Sequence, residues 1–209
     1  MEDRQNVSKH RQEMRERVVA TAMKAFAANG VKAVRMDDIA QQLGMSKRTL
    51  YELFDDKEDL LLAGIRSYRE RREREMMECA SECHNVIETV LFVYRKKVED
   101  FNHTVPQFYT DIVKCPRVMA MLEKDKTQNQ ERLISFFERG VQEGYFRSEI
   151  NFEIVAKLFD AIGLYIMEQQ LYCHYSIEQL FHNLVFTSLR GICTQQGIEV
   201  LDRSQKGYI

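Results

Sequence analysis

The stretch AVRMDDIAQQLGMSKRTLYELFDDKEDL, residues 33–60, decides the fold of the N-terminal part of the chain. Apolar residues recur at helical spacing before Gly44, a residue type that ends helices in the left-handed conformation. Ser46 is placed to cap a second helix, in which Leu50 and Phe54 recur four residues apart and face inward. The stretch therefore predicts two short helices joined by a tight turn, which is the helix-turn-helix pattern.

The outward face of the second helix is basic and polar. Lys47 and Arg48 lie in its first turn, where the positive end of the helix dipole disfavours cations by a few tenths of a kcal/mol. A polyanion bound at that helix start would reverse the sign of this effect, because basic side chains, hydroxyls and backbone N–H groups would all meet phosphate and base edges. DNA is the natural ligand for such a face. The alternative is a solvated helical hairpin whose cations only aid solubility.

These residues resemble the N-terminal domain of the TetR family of transcriptional regulators. The resemblance covers roughly residues 12 to 62, and one position departs from it: Arg35 stands where the family usually has a threonine before the second helix. Arginine cannot cap that helix, although it can still reach a phosphate. The matching residues are Phe26, Gly30, Asp38-Ile39-Ala40, Gly44-Met45-Ser46, Leu50-Tyr51, Phe54 and Lys57-Glu58-Asp59-Leu60.

The resemblance implies a set of residues that contact double-stranded operator DNA. Lys47 and Arg48 are expected to read guanine edges or to hold phosphates, and nearby hydroxyl groups to hold phosphates. Arg35 and Lys57, at the starts of the second and fourth helices, are expected to clamp the flanking DNA backbone. The full expected DNA-binding set is Arg35, Ser46, Lys47, Arg48, Thr49, Tyr51 and Lys57.

Composition favours an all-α chain. Only 2 prolines and 9 glycines occur in 209 residues, of which 44% are hydrophobic and 30% charged. Such a composition is typical of long helices and argues against a strand-rich or disordered protein. We expect about nine helices, with a three-helix helix-turn-helix domain in residues 1–57 and a larger helical ligand-sensing and dimerisation domain in residues 58–209.

Charge and hydropathy bound the partners. The net charge is -2, but residues 1–57 carry 11 Lys+Arg against 9 Asp+Glu, so the excess of positive charge lies in the helix-turn-helix part. DNA affinity should therefore depend on where the basic residues lie and should fall with salt. No run approaches the roughly 18 apolar residues of a membrane helix, and the charged N-terminus lacks a signal-peptide core. We expect a cytoplasmic protein without a membrane partner.

The last two predicted helices are rich in apolar residues. In the TetR family the final two helices commonly pair with those of a second subunit, and the apolar surface here exceeds what packing on one side requires. On the first of these two helices, the residues expected to face a partner are Ile154, Leu158, Ala161, Ile162 and Tyr165. A homodimer would place two recognition helices about one DNA turn or more apart on a near-palindromic operator. The expected interface residues are Phe159, Ile162, Ile166, Leu180, Leu184 and Leu189.

Aromatic and methionine residues crowd the middle of the chain, where an effector pocket would lie. Such side chains suit an apolar or aromatic ligand with a few polar anchors. For each residue taken singly, a place in the core is the competing interpretation. The expected pocket set is Phe92, Phe101, His103, Phe108, Tyr109, Met119, Phe137, Tyr165 and Met167. A DNA-binding regulator without an inducer stays open as an alternative.

Catalysis, cofactors and metals find little support in the sequence. No triad-like spacing, phosphate-binding glycine loop or HExxH motif occurs, so a helical enzyme is a minor alternative and no cofactor is expected. The five cysteines include no C-x-x-C pair. Cys79 and Cys83, with His84 beside them, suggest a thiol sensor or a metal site as a further minor alternative. The charged run RSYRERREREMM is interpreted as a solvated helix face.

Overall fold

A computed structural model describes residues 2–124 and 126–205, and these residues form a helical protein. Their only extended pairing is an isolated antiparallel bridge between Phe146 and Cys193. None of the described helices is long and apolar enough to cross a membrane. The all-α prediction is thereby confirmed. The helices are α1 (Glu2–Asn29), α2 (Met36–Gln42), α3 (Lys47–Leu53), α4 (Lys57–Glu82), α5 (Val86–Asn102), α6 (Pro106–Val113), α7 (Pro116–Lys124), α8 (Lys126–Gln142), α9 (Phe152–Glu168), α10 (Ile177–Phe181), α11 (Thr187–Ile192) and α12 (Gln195–Gln205).

The helices differ from the predicted ones mainly in the second half of the chain. The sequence predicts one last helix from Ile177 to about Gln195, whereas a π-helical turn, His182–Phe186, separates α10 from α11 there, and α12 follows as a further helix. Apolar periodicity does not reveal such interruptions, because the residues on both sides of a break remain apolar at helical spacing.

Two compact units divide the chain. The first contains Met1–Arg72 and His103–Met121, and the second contains Glu73–Asn102 and Leu122–Ile209. The first unit thus joins the helix-turn-helix to α6 and the start of α7, which lie far along the sequence. The division by packing differs from the division by motif at residue 57.

The core of the first unit is built from helical stripes. Val18, Ala22 and Phe26 recur four residues apart on α1 and are fully buried. Leu50 of α3 and Leu60 of α4 are buried with them. Burying a side chain of this size stabilises a protein by about 1.5–3 kcal/mol. The polar residues between these positions are therefore left on the outer faces of the helices.

An aromatic cluster forms the core of the second unit. The ring of Phe137 on α8 stacks on Phe152 of α9 with centroids 4.8 Å apart, and Phe146 meets Phe137 edge to face at 5.8 Å. The start of α5, with Val86 and Ile87, is fully buried in the same cluster. These contacts fix α5, α8 and α9 relative to one another.

Candidate DNA-binding surface

The turn between α2 and α3 is stabilised at both ends. Gly44 has a φ of +64°, and its N–H donates to the carbonyl of Gln41 while Met45 N–H donates to the carbonyl of Ala40. These bonds satisfy the last carbonyls of α2, and a left-handed glycine is the residue this turn requires. Ser46 then caps α3 by accepting the N–H of Thr49 at 3.1 Å. The direction in which α3 leaves the turn is fixed by these bonds.

Arg35 immediately precedes α2 and its guanidinium does not cap the helix. Instead the carboxylate of Asp38 accepts the backbone N–H of Arg35 at 2.9 Å, which is one half of a capping box. The arginine therefore does not leave the start of α2 without a stabilising contact. Its side chain is exposed, and among the described residues no polar group binds its guanidinium. Arg35 is thus available for a phosphate.

The outward face of α3 carries two cations that already have partners. Lys47 contacts Asp37 of α2 at 2.7 Å, and Arg48 contacts Glu52 one turn along α3 at 2.9 Å. The hydrogen bond to Asp37, together with the charge of that carboxylate, raises the pKa of the Lys47 ammonium. Both pairs face solvent, and the Arg48 side chain is 90% exposed. Exposed pairs contribute about 1 kcal/mol or less, so a phosphate can displace either carboxylate at small cost.

Hydroxyl groups complete this face. The Thr49 hydroxyl lies 2.8 Å from the Ser46 hydroxyl at the start of α3, and Tyr51 is exposed two residues further along. Leu50 and Leu53 on the opposite side are buried. The predicted residues Ser46, Lys47, Arg48, Thr49 and Tyr51 are thus brought together at one helix start.

Two arginines of α1 hold the other end of α3. Arg11 donates to the carbonyl of Glu52 at 3.1 Å, and Arg15 donates to the carbonyl of Leu53. The guanidinium of Arg15 also lies 4.1 Å from the centre of the Phe54 ring. Cations at the carboxyl end of a helix complement its dipole. Sequence reasoning missed both residues, although arginines four apart on the first helix were a signal of a shared polar partner.

Lys57 has a different role from the predicted one. Its ammonium donates to the carbonyls of Val31 at 2.9 Å, Lys32 at 3.3 Å and Val34 at 2.9 Å. An ammonium has three donors, so these contacts use all of them. In this structure, where a clamp on the DNA backbone was expected, the Lys57 ammonium therefore fixes the loop between α1 and α2.

The α6 helix holds the same loop from another side. Lys32 N–H donates to the buried carboxylate of Asp111 at 2.8 Å, and Gln107 donates to its other oxygen at 2.7 Å. Gly30 has a φ of +81°, and a Cβ there would lie 2.7 Å from the Gln107 side chain. Arg117 of α7 bridges both carboxylate oxygens of Asp56 at 3.1 Å, just before α4. The loop and the start of α4 are thus braced by residues that the sequence did not connect to them.

The predicted pocket residues are distributed over both units. Within the first unit, Phe108 packs edge to face on Tyr109 with centroids 5.5 Å apart. Within the second, Phe137 is buried in the aromatic core, whereas Tyr165 is 58% exposed on α9. These two residues therefore do not line one cavity, because stacking partners cover the ring of Phe137. His103 and Met119 belong to the first unit, Phe92 and Phe101 belong to the second, and the side chain of Met167 lies outside what the structure describes.

A groove of about 540 Å³ runs between α9 and α10. Four of the six predicted interface residues line it: Ile162, Ile166, Leu180 and Leu184. α9 also exposes an apolar stripe that continues from the groove: Tyr165 (58%) lies in the groove lining, and Ile154 (65%) and Leu158 (53%) lie outside it. A monomer gains nothing from such a stripe, which is typical of a surface that meets a protein.

The other two predicted interface residues belong to the protomer core. The Phe159 ring lies parallel to that of Phe137, with centroids 6.5 Å apart, and Leu189 is buried. Leu189 belongs to the buried core cluster of the second unit, together with Phe186 and Ile192. Phe159 lies on the side of α9 that carries Phe152 and Val155 toward the core. Both assignments are corrected accordingly.

Comparisons with known proteins agree with this architecture. The family described as "Bacterial regulatory proteins, tetR family" matches residues 18–63, from α1 to the start of α4. The transcriptional repressor KstR2 of Rhodococcus jostii is 27% identical over 135 residues, which are 62% of this chain and 66% of that repressor. KstR2 of Mycolicibacterium smegmatis is 23% identical over 190 residues, covering 88% and 92% of the two chains.

Solved structures share the fold along most of the chain. The ketosteroid transcriptional regulator KstR2 of Mycobacterium tuberculosis has a TM-score of 0.57 at 20% identity, covering 87% of this chain and 96% of that one. A transcriptional regulator from Saccharomonospora viridis in complex with choline has a TM-score of 0.71 at 19% identity, covering 88% and 100%. Residues 18–63 thus match the tetR family of bacterial regulatory proteins, and the chain shares its fold with solved transcriptional regulators along most of its length.

Proposed function

We propose that the protein is a non-catalytic, homodimeric transcriptional repressor that binds a near-palindromic operator through α3. The observation that carries this proposal is the outward face of α3, where Lys47 and Arg48 stand beside the hydroxyls of Thr49 and Tyr51 on a helix capped at both ends. A bacterial repressor meets its operator in the cytoplasm. Residues 1–57 would bind DNA, and residues 58–209 would sense the effector and form the dimer.

Binding exchanges one set of ion pairs for another. Phosphates would replace Asp37 beside Lys47 and Glu52 beside Arg48, and the freed side chains would contact phosphates or guanine edges. Arg35 would add a phosphate contact at the start of α2. Lys57 contributes indirectly in this scheme, because its ammonium orders the loop that carries Arg35 toward α2. Affinity should fall steeply with salt.

The groove between α9 and α10 would form the centre of the dimer interface. Its apolar lining, with the exposed stripe of Ile154, Leu158 and Tyr165, offers a second copy a self-complementary patch. Two copies joined there present two α3 helices. Their half-sites would lie about 34 Å, or a multiple of that distance, apart along the DNA.

A small apolar or aromatic effector would release the operator. Support comes from the relatives: one has choline bound in its structure, and another is a ketosteroid regulator. Allosteric coupling in such systems is typically about 1–3 kcal/mol, which lowers affinity about 5- to 150-fold. Thermal-shift screening of steroid, acyl and cationic compounds, followed by operator titration, tests this. If no stabilising compound changes operator affinity, the protein acts without an inducer.

The DNA-binding proposal is tested with the DNA upstream of the protein's own gene. Fluorescence anisotropy should show a sequence-specific complex that weakens with salt. The double variant Lys47→Ala, Arg48→Ala should lose more than about 100-fold in affinity, because each bidentate base contact is worth about 1–3 kcal/mol. The matched control Lys157→Ala, Arg203→Ala removes the same charges from exposed positions of the second unit and should bind as the wild type does. Equal affinity of the two double variants would refute the assignment.

A further inference from the structure

Two thiols lie together where α4 ends. Cys79 is in the last turn of the helix and Cys83 is the first residue after it, with its N–H donating to the carbonyl of Cys79 at 2.7 Å. Their sulfur atoms are 2.6 Å apart, and the two are not joined by a disulfide bond. A disulfide needs sulfurs about 2.0 Å apart. The two sulfurs are thus already close to bonding distance.

The surroundings of the two thiols differ. Cys83 is partly exposed at the turn between α4 and α5, whereas Cys79 is buried beside it. An oxidant can therefore reach the sulfur of Cys83. The sulfur of Cys79 lies next to it and can react with the oxidised Cys83. Redox-sensitive sites in proteins commonly combine an accessible thiol with a neighbouring resolving thiol.

The remaining cysteines lack this arrangement. Cys115 and Cys193 are buried, and burial raises the pKa of the Cys193 thiol to about 11, so that thiol stays protonated and unreactive at neutral pH. Cys173 is exposed in the turn after α9. The extent of Cys173 oxidation therefore serves as an internal reference for the dose of oxidant.

We propose that Cys79 and Cys83 form a reversible disulfide when a hydroperoxide oxidises the protein. The Cys83 thiolate attacks the peroxide oxygen and breaks the O–O bond, which gives a sulfenic acid and hydroxide or an alcohol. The Cys79 sulfur then attacks the Cys83 sulfur and displaces its hydroxyl group, and the thiol proton of Cys79 passes to that leaving group, which departs as water. Two thiols lose two electrons and the peroxide gains them. A dithiol reductant reverses the reaction by thiol–disulfide exchange.

The bond would change the end of α4 and leave α5 in place. The start of α5 is fixed because Asn85 and Glu88 cap it, and Val86 N–H donates to the carboxylate of Glu143 at 2.9 Å. Side chains four apart on a helix have Cβ atoms about 5–6 Å apart, whereas a disulfide needs about 3.5–4.5 Å. The last turn of α4 must therefore tighten or unwind on oxidation.

The test uses the full-length protein, hydrogen peroxide and mass spectrometry. After treatment, remaining thiols are alkylated and the protein is digested with an endoprotease that cleaves after glutamate. Cuts after Glu78 and Glu82 separate CASE, residues 79–82, from CHNVIE, residues 83–88. We expect the two fragments to stay joined, with a mass two hydrogens below their sum, and to separate after treatment with dithiothreitol.

Two variants define the controls. Cys83→Ser should abolish the joined species, while Cys173→Ser should leave it unchanged. The wild-type measurement stands on its own should a variant fold poorly. If both fragments carry an alkyl group at a peroxide dose that has oxidised Cys173, or if Cys83 reaches the sulfinic acid without being joined to Cys79, the proposal is refuted.

Discussion

The helix-turn-helix and the α9 face differ in whether their groups find partners within one chain. Around the turn, helix ends are satisfied within one chain by Ser46, Asp38 and the two arginines of α1. Its outer surface is polar and its cations are paired. On α9, by contrast, Ile154 and Leu158 are more than half exposed and apolar. The helix-turn-helix thus has its helix ends hydrogen-bonded within a single chain. The apolar face of α9 gains stability only when another surface covers it.

The two regions would bind their partners through different kinds of free energy, electrostatic at α3 and hydrophobic at α9. DNA must replace carboxylates that are already in contact with Lys47 and Arg48, so its affinity is a balance between similar electrostatic terms. A second protomer would remove apolar surface from water, with a gain of about 25 cal/mol per Å² buried. A charge introduced on α9 should therefore have a large effect on dimerisation, whereas removal of a carboxylate that competes with DNA beside α3 should have a small effect on DNA affinity.

The largest effect is expected from a charge on the α9 stripe. Leu158→Glu should weaken the dimer more than about 100-fold, because an unpaired buried carboxylate costs several kcal/mol. Analytical ultracentrifugation measures the change. Its neighbour Lys157 is also exposed but lies off the stripe, so Lys157→Glu is the matched control and should stay dimeric. Dimers of Leu158→Glu as tight as the wild type would show that this face meets something other than a second copy.

Loss of the Lys57 ammonium tests how much its contacts with the α1–α2 loop stabilise the helix-turn-helix region. Lys57→Met keeps the aliphatic stem but leaves three carbonyls without their donor, and we expect a loss of about 3 kcal/mol in unfolding free energy without DNA. Urea unfolding followed by circular dichroism measures it. Lys32→Met, in the same loop with an exposed side chain, should change stability little. Unchanged stability of Lys57→Met together with a shallower salt dependence of DNA binding would restore the role of phosphate clamp.

High pH should weaken the region behind the α9 face, where Cys193 is buried. Burial raises the pKa of Cys193 to about 11 from 9.0, so above pH 9 the unfolded chain releases a proton that the folded protein retains. Stability is therefore lost as pH rises, by about 2 kcal/mol at pH 11. Urea unfolding at pH 8 and pH 10.5 measures the loss, and Cys193→Ala should reduce it. Residues 1–72 contain no cysteine.

Sequence patterns predicted the first region better than the second. Gly44, Ser46 and the residues of α3 act through neighbours within a few positions, so their roles follow from local rules. The contacts of Lys57 were missed because its carbonyl partners lie in the loop at residues 31–34, at a distance in sequence that periodicity does not reveal. The brace from Asp111 and Arg117 was missed for the same reason.

The pocket and interface residues show a second limit. Aromatic residues at helical spacing fit a core as well as a ligand site, and Phe137 proved to be core. Phe159 and Leu189 were placed on the interface because they are apolar, although both pack into the core of the second unit. The stripe on α9 was predictable because Ile154, Leu158 and Tyr165 keep one phase along a single helix.

The smallest effect is expected beside α3. Asp37→Asn removes the carboxylate that holds Lys47 and should raise operator affinity by about fivefold or less, because an exposed pair is worth about 1 kcal/mol or less. Fluorescence anisotropy at low salt measures the gain, which should shrink at high salt. Glu52→Gln provides a parallel case for Arg48. Weaker binding of Asp37→Asn would mean that the pair orients Lys47 for DNA.

The bracing of the helix-turn-helix by α6 and α7 limits how this protein can be recombined. A chimera that grafts residues 1–57 onto another regulator would leave Lys32 and Asp56 without Asp111 and Arg117. In such a chimera the close contact between Gly30 and the Gln107 side chain would also be lost, because another residue of the recipient protein would stand in place of Gln107. Exchange of operator specificity between relatives should therefore succeed when residues 103–121 are transferred together with the N-terminal segment. The two stretches are separate in sequence but belong to one compact unit.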